Sequence, residues 1–275
     1  MAQQRKLSAT TVTYFSDLKL LRSLLDSLKV AARKLHKETG YILTFYIVDN
    51  SVDKKYFASL KLLCGGFVET DFFQLSLLEA PVNLGFSGGN NLVIEQLESD
   101  YHLIINPDVA VEADALCCAI GYFEKHKNVV MLSPKVVGRT RSCHVIKVYP
   151  DCFTLALRYV DLPPLNCFFS KRLARYECLH LQDVANTSIE LAGGCFLFLP
   201  TDLLKQLEGF DESFFLYFED YDFSIRARQF GELAYEPTVK ITHSGGDVGR
   251  KNYRHHLYFI RSAIRFFNKH GWRFW

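Results

Sequence analysis

Three carboxylates, Glu219, Asp220 and Asp222, stand in an aromatic run from Phe214 to Phe223, and Arg226 and Arg228 follow them. Phe and Tyr on both sides lower the local dielectric, so a carboxylate held there has a raised pKa and can serve as a base. The i, i+3, i+7 spacing of Glu219, Asp222 and Arg226 puts them on one helical face and directs Asp220 elsewhere. An acidic first helical turn is the plainer reading, because Asp and Glu favour that position. Six aromatics around the three acids weigh against it.

Other chemistry-bearing groups sit where strands should end. Asn106-Pro107-Asp108 follows the apolar run Tyr101 to Ile105, and Pro107 stiffens the turn that presents Asp108. A lone carboxylate there suits a divalent cation bound mainly through substrate phosphate oxygens, and it is equally able to cap a helix over 113–125. Asp49-Asn50-Ser51 closes the apolar run Tyr41 to Val48, where open α/β sheets take ligands. A ligand contact and a simple Asx turn stand level at that point. Asn83-Leu-Gly-Phe-Ser-Gly-Gly-Asn-Asn91 allows close backbone approach through Gly85, Gly88 and Gly89 and is expected to open a helix whose N-terminus faces phosphate. It matches neither GxGxxG nor GxxxxGK[ST], which counts against a dinucleotide oxidoreductase and a P-loop NTPase. His243, before Ser244-Gly-Gly, is either a structural histidine or a metal ligand.

Composition narrows the classes. The 275 residues are 49% hydrophobic and 23% charged, with a net charge of +2. That suits one large α/β domain or two small ones and excludes a nucleic-acid binder, which needs a strong basic excess. The eight cysteines form no CxxC pair and read as buried reduced thiols of a cytosolic protein. The N-terminus is too polar for a signal peptide and no run reaches ~18 apolar residues, so a soluble or peripheral protein is expected.

The elements that must position these groups alternate. A strand is expected over 9–15, then a helix on Leu18, Leu21, Leu24, Leu25 and Leu28, capped by Ser16 or Asp17 and stopped by Gly40. Strands follow at 41–48, 101–105, 129–137, 190–199 and 233–235, another ends at His243, and 54–80 holds a short helix and a weaker strand. An amphipathic helix is expected through Leu92, Val93, Ile94 and Leu97. Residues 139–188 stay unassigned, as a mobile loop or a small insertion over the site. The tail from Arg250 to Trp275 has no Asp or Glu and carries the stripe Leu257, Ile260, Ile264 and Phe267 beside Arg254, Arg261 and Arg265. Binding at an anionic membrane surface and packing on the domain are the two readings, with packing the nearer.

Taken in order, VDNS, NLGFSGGNN, INPDV and FDESFFLYFEDYDFSIR resemble the family 2 inverting glycosyltransferases of GT-A fold, and most of all their rhamnosyltransferase-type branch. The resemblance spans about Thr11 to Lys269. It implies an α/β fold with a Rossmann-like, mostly parallel central sheet flanked by helices and a C-terminal amphipathic helix. The GT-A domain is expected over 1–250, with a nucleotide-sugar half at 9–137 and an acceptor half at 189–250, and the basic helix at 251–275. By resemblance Asp49, Asn83, Gly85, Asn90 and Asn106 contact the donor nucleotide, helped by Arg226, Arg250 and Lys251. Asp108 and His243 hold Mg²⁺ or Mn²⁺, Asp220 is the general base with Glu219 beside it, and Gly193, Gly194 and Tyr217 meet the acceptor. The chain departs from the family at Phe15, where Asn is usual, and at Asp247, where Ser is usual. The resemblance implies transfer of a sugar from a nucleotide diphosphate, with L-rhamnose from deoxythymidine-diphosphate rhamnose first and a uridine-diphosphate hexose as alternative. The acceptor is expected to be a lipid-linked or polysaccharide sugar at the cytoplasmic membrane face, in polysaccharide or lipopolysaccharide synthesis. A nucleotidyltransferase of the same fold would need a Gly-rich basic loop after the first strand, which Tyr14-Phe-Ser-Asp17 lacks. A non-catalytic glycan- or lipid-carrier-binding relative would be expected to lose Asp108 and Asp220, which are present.

Overall fold

The structure is a computed structural model that describes residues 4–138, 145–160, 162–181, 183–185, 187–244 and 253–275. In chain order the elements are β1 (Lys6–Thr13), α1 (Leu18–Thr39), β2 (Ile42–Asp49), α2 (Lys54–Gly65), β3 (Phe73–Glu79), α3 (Gly85–Asn91), β4 (Tyr101–Ile105), β5 (Val109–Val111), α4 (Ala115–Lys125) and β6 (Val129–Val136). There follow β7 (Ile146–Lys147), α5 (Cys152–Val160), α6 (Pro163–Phe168), α7 (Ser170–Tyr176), β8 (Thr187–Ile189), β9 (Leu191–Ala192), β10 (Phe196–Pro200), α8 (Thr201–Gln206), α9 (Glu219–Ala227), β11 (Glu232–His243) and α10 (Tyr253–His270).

Helix α1 forms because Leu21, Leu24, Leu25, Leu28, Ala31, Ala32 and Leu35 make one apolar stripe, and all of them are buried against the sheet. Asp17 caps its start by accepting from the Lys19 amide, and Gly40 ends it at φ 77°, a conformation that favours glycine. The main sheet runs β3-β2-β1-β4-β10-β6-β11-β5, with β8 added on β11. Its first half is parallel, which is why Leu43, Phe45 and Ile47 of β2 are fully buried. Strand β10 enters antiparallel to both β4 and β6, so a sheet whose longest pairings are parallel also carries antiparallel ones. The expected strands at 233–235 and before His243 are one continuous β11 with a register irregularity between Glu236 and Lys240.

Two registers build the site. The parallel β1–β2 register pairs Thr13 with Asp49, so both strands end together at the carboxyl edge. The antiparallel β11–β5 register pairs His243 with Val109 and thereby carries His243 back to the turn that holds Asp108. The Ser244 amide also donates to the Asp108 carbonyl (2.9 Å).

Residues left unassigned by sequence become α5, α6 and α7. They pack with the aromatic run and α10 into a second, smaller core of Leu155, Tyr176, Phe214, Phe218, Phe266 and Phe267. A fully buried Phe such as Phe214 or Phe266 contributes about 2–3 kcal/mol by removal from water, so this cluster is a substantial anchor. The tail helix is therefore packed on the domain. Of the cysteines, Cys178 and Cys195 are buried, Cys167 is exposed and four others are intermediate; Cys143 lies outside the described residues, and the seven described are all free thiols.

Candidate active site

The aromatic run is bent into place by its backbone. Tyr217 and Phe218 both adopt positive φ, 69° and 65°, which costs bulky residues of order 1 kcal/mol or more each. The surroundings hold them there. The Phe86 amide donates to the Phe215 carbonyl (2.9 Å), the Ser87 hydroxyl to the Phe214 carbonyl (2.5 Å) and the Ser262 hydroxyl to the Leu216 carbonyl (2.8 Å). Phe218 also packs against the rings of Phe259 and Phe266. Loop 214–218 is thus clamped between α3 and α10 and delivers Glu219 and Asp220 at the first turn of α9. Gly85 makes the clamp possible: its φ is 70°, and a Cβ there would lie 2.2 Å from the Phe215 carbonyl oxygen.

Asp220 turns away from the Asp222–Arg226 face, as its spacing predicts. Its Oδ2 accepts from the Gly194 amide (2.8 Å) and its Oδ1 from its neighbour Tyr221 (2.9 Å). Burial pushes the Asp220 carboxyl up to about 6, against the pull of these amides and of the Lys147 ammonium. Glu219 is buried, and burial together with the Asp220 charge raises its carboxyl well above the usual range. Its Oε2 has no hydrogen-bond partner among the described residues. Burial raises both carboxyls, and the Asp220 charge lifts that of Glu219 further. Glu219→Gln keeps the size of the side chain and leaves Asp220 as the base, so turnover is expected to stay within about tenfold of wild type in an initial-rate assay. A larger loss would give Glu219 a chemical part of its own.

The pair faces a cavity of about 190 Å³ lined by Lys147, Arg158, Tyr159, Tyr176, Tyr217 and Phe259, among others. Arg158 and Tyr159 come from α5 and Tyr176 from α7, so the unassigned insertion walls the base. Tyr176 and Tyr221 share a hydroxyl–hydroxyl bond of 2.8 Å. Across loop 214–218 lies a larger cleft of about 620 Å³, lined by Tyr14, Asn50, Asn83, Gly85, Asn106 and Asp108 and, from α10, by Arg254, His255 and Tyr258. Tyr217 reaches from the smaller cavity to the larger one through its hydroxyl contact with His255 Nδ1 (3.1 Å).

Asp108 Oδ1 and His243 Nε2 lie 3.3 Å apart, which brings together two residues separated by about half of the chain. A carboxylate oxygen and an imidazole nitrogen are a suitable donor pair for Mg²⁺ or Mn²⁺ when substrate oxygens complete the shell. Among the described residues no third His, Cys, Asp or Glu joins them, so the pair fits a metal shared with a phosphate-bearing ligand.

Several sequence expectations are relocated. Asp49 is fully buried and accepts from the amide and hydroxyl of Ser51, the Asx-turn arrangement. Its neighbour Asn50 lines the cleft, donating to the Gly85 carbonyl (2.6 Å) and accepting from the Leu84 amide (3.1 Å). Asn90 is buried and donates to the Phe86 carbonyl, supporting the loop from inside. Arg226 faces away from the cleft: its guanidinium binds Asp222 and the carbonyls of Leu207 and Gly209, all at 2.8 Å. Gly194 meets Asp220 through its amide, and Gly193 is held by Val145. Asp114, not Asp108, stands at the N-cap of α4. Helix α3 is made of the glycine loop itself, and only a single 3₁₀ turn, Ile94–Gln96, follows where an amphipathic helix was expected. Phe15 is exposed at positive φ and leaves the cleft wall to Tyr14, Ser16 and Asp17. Arg250, Lys251 and Asp247 lie outside the described residues. The α10 residues that line the cleft carried no sequence signal beyond helical spacing, because their role depends on where α10 docks.

The architecture is that of the GT-A glycosyltransferases, an α/β fold with helices flanking a central sheet and a C-terminal helix. The mannosyltransferase of Pyrobaculum calidifontis, solved with GDP-mannose and Mn²⁺, superposes with a TM-score of 0.63 at 15% identity, covering 98% of this chain and 64% of its own. The chain thus spans less than two thirds of that protein's length. Among curated proteins, the rhamnosyltransferase WbbL of Escherichia coli K12 is 22% identical over 240 residues, 81% of this chain and 79% of the relative. The hexosyltransferase Agl10 of low-salt glycan biosynthesis in Haloferax volcanii is 21% identical over 229 residues, 78% and 66% of the two chains. No family model matches the chain. The likeness to a rhamnosyltransferase and a hexosyltransferase, first carried by the motifs, is thus found again over about four fifths of the chain.

Proposed function

We propose that this chain is an inverting glycosyltransferase that moves a sugar from a nucleotide diphosphate to a hydroxyl of a saccharide acceptor. The observation that carries the reading is Asp220: a base-competent carboxylate beside an aromatic-walled cavity, one loop away from a cleft that holds the Asp108–His243 pair. The cleft takes the donor, with Asn50, Asn83, Gly85 and Asn106 near the nucleotide. The smaller cavity takes the acceptor sugar, whose ring finds Tyr159, Tyr176 and Tyr217 in the wall. Asp220 removes the proton from the acceptor hydroxyl as that oxygen attacks the anomeric carbon in line with the leaving diphosphate. The Gly194 and Tyr221 amides aim its carboxylate. A divalent ion held by Asp108 and His243 would neutralise charge on the departing diphosphate. One base suffices for inversion, and no covalent sugar–enzyme bond is needed.

Within this reading the donor sugar is L-rhamnose carried on deoxythymidine diphosphate, and the acceptor is a lipid-linked or polysaccharide-end sugar at the inner membrane face. Likeness to WbbL supports the sugar. Thermal unfolding with a panel of nucleotide diphosphates, with and without Mn²⁺, tests the donor site. A ligand at about 100 times its Kd stabilises the folded state by about 2.7 kcal/mol. Deoxythymidine diphosphate with Mn²⁺ is expected to give the largest shift, and Asp108→Ala is expected to abolish the metal-dependent part. A uridine preference would reassign the donor, and no shift with any nucleotide would overturn the enzyme reading.

A further inference from the structure

Two segments far apart in sequence meet on one exposed face. The backbone amides of Cys152 and Phe153 donate to the carbonyls of Arg273 (2.8 Å) and Phe274 (3.3 Å), which ties the tail to the start of α5. The Trp275 ring packs on Phe153 at 4.5 Å between centroids and lies within 6.4 Å of Phe169, the partner ring of Phe168. The Arg172 guanidinium sits 4.5 Å over the same Trp275 ring. Although these contacts fix the corner, its aromatics stay in solvent: Phe168 is 82% exposed, Trp275 75% and Phe274 69%. On α10 Leu257, Ile260 and Ile264 are exposed as well, with Arg261 and Arg265 exposed beside them. Residues 163–176 carry three Lys or Arg and residues 253–275 carry five; Arg172 pairs with Asp151 and Lys269 with Asp211 and Asp222, whereas Lys171, Arg175, Arg261 and Arg265 have no carboxylate partner among the described residues.

We propose that this face, the α6–α7 corner joined to the outer side of α10 and residues 271–275, docks on an anionic lipid bilayer. Aromatic side chains favour the headgroup level of a bilayer, an apolar stripe partitions just beneath it, and cations without neighbouring acids are drawn to anionic lipid. No described helix is long and apolar enough to cross a membrane, so contact through these residues is of the lying-on kind. The charge decides the occupant: a second copy of this chain would bring the same sign to the contact, whereas anionic lipid brings the opposite one. Helix α10 also lines the donor cleft with Arg254, His255 and Tyr258, so docking holds the cleft beside the bilayer. The inference deepens the reading of a lipid-presented acceptor and rests on it for its purpose, but its test uses no turnover.

The full chain is sedimented with vesicles of equal parts phosphatidylglycerol and phosphatidylcholine, and with vesicles of phosphatidylcholine alone. Wild type is expected to partition onto the anionic vesicles and to release as salt rises. Phe168→Ser with Phe274→Ser, and separately Arg261→Glu with Arg265→Glu, are each expected to lower partitioning by roughly tenfold or more. Unchanged circular dichroism and an unchanged nucleotide thermal shift show that the variants are folded. Absence of wild-type binding to anionic vesicles, equal binding by both variants, or a wild-type dimer in light scattering that the variants dissolve would each overturn the proposal. Vesicle binding without any nucleotide shift would instead sink the transferase reading alone.

Discussion

Asp220→Asn is expected to lower turnover by about 10²–10⁴-fold while leaving nucleotide diphosphate binding near wild type. The amide keeps the shape of the carboxylate but cannot accept the acceptor's proton. Because Asp220 lies across loop 214–218 from the Asp108–His243 pair, the donor cleft is not rebuilt by the change. The wild-type pH profile carries the same information. With the Asp220 carboxyl pushed up to about 6 by burial, kcat/KM is expected to rise between about pH 5 and 7 and then level off. The variant's residual rate should lack that limb. The stability linkage runs the opposite way. Asp220 titrates from 3.8 to about 6 on folding, so its contribution is present below the lower value and lost as pH rises through the upper one. Asp220→Asn is therefore expected to hold its stability over that window while wild type loses some. A retained rate at pH 7 would place the base elsewhere.

Asp222→Ala is expected to destabilise the protein by about 3 kcal/mol, with a Tm lower by roughly 6–10 °C in thermal unfolding. Asp222 is fully buried and gathers two cations and an imidazole. Arg226 Nε reaches its Oδ2 at 2.8 Å, while Lys269 Nζ at 2.6 Å and His270 Nε2 at 2.8 Å share its Oδ1. Two of these partners are on α10, so this carboxylate fastens the C-terminal helix to α9 and, through it, the clamp on loop 214–218. Removing the carboxylate leaves Arg226 and Lys269 without their shared counter-charge, with Asp211 as remaining partner of Lys269. The figure stands at the lower end of the range for breaking a buried pair because Lys269 is partly exposed. Arg226→Lys separates the structural role from a donor-binding one. It should lose the fork onto the carbonyls of Leu207 and Gly209 and hence stability, with nucleotide affinity unchanged. A stable Arg226→Lys protein with weakened nucleotide binding would restore the donor role.

The amino-acid sequence by itself determined the alternation of strands and helices and the acidic aromatic run, because these follow from local periodicity and composition. Helix α1 and its two caps are an example: the leucine spacing, Asp17 and Gly40 act within a few residues of one another. The separation of Asp220 from Asp222 and Arg226 was equally legible from helical geometry, whereas Glu219, expected on the Asp222–Arg226 face, joins Asp220 at the smaller cavity instead. Tertiary structure alone decided which polar residues reach the site. Asp49 and Asn50 differ by one position at a strand end, and both are buried, yet only Asn50 lines the cleft. Asp108 and His243 meet because β11 and β5 pair in a particular antiparallel register, a long-range choice no local pattern records. Arg226 looked like a cation for a diphosphate but became a clamp, since carbonyls at Leu207 and Gly209 come within its reach only after folding. The positive φ at Tyr217 and Phe218 was equally hidden: it opposes what those residues prefer locally and persists because α3 and α10 close on loop 214–218 from both sides.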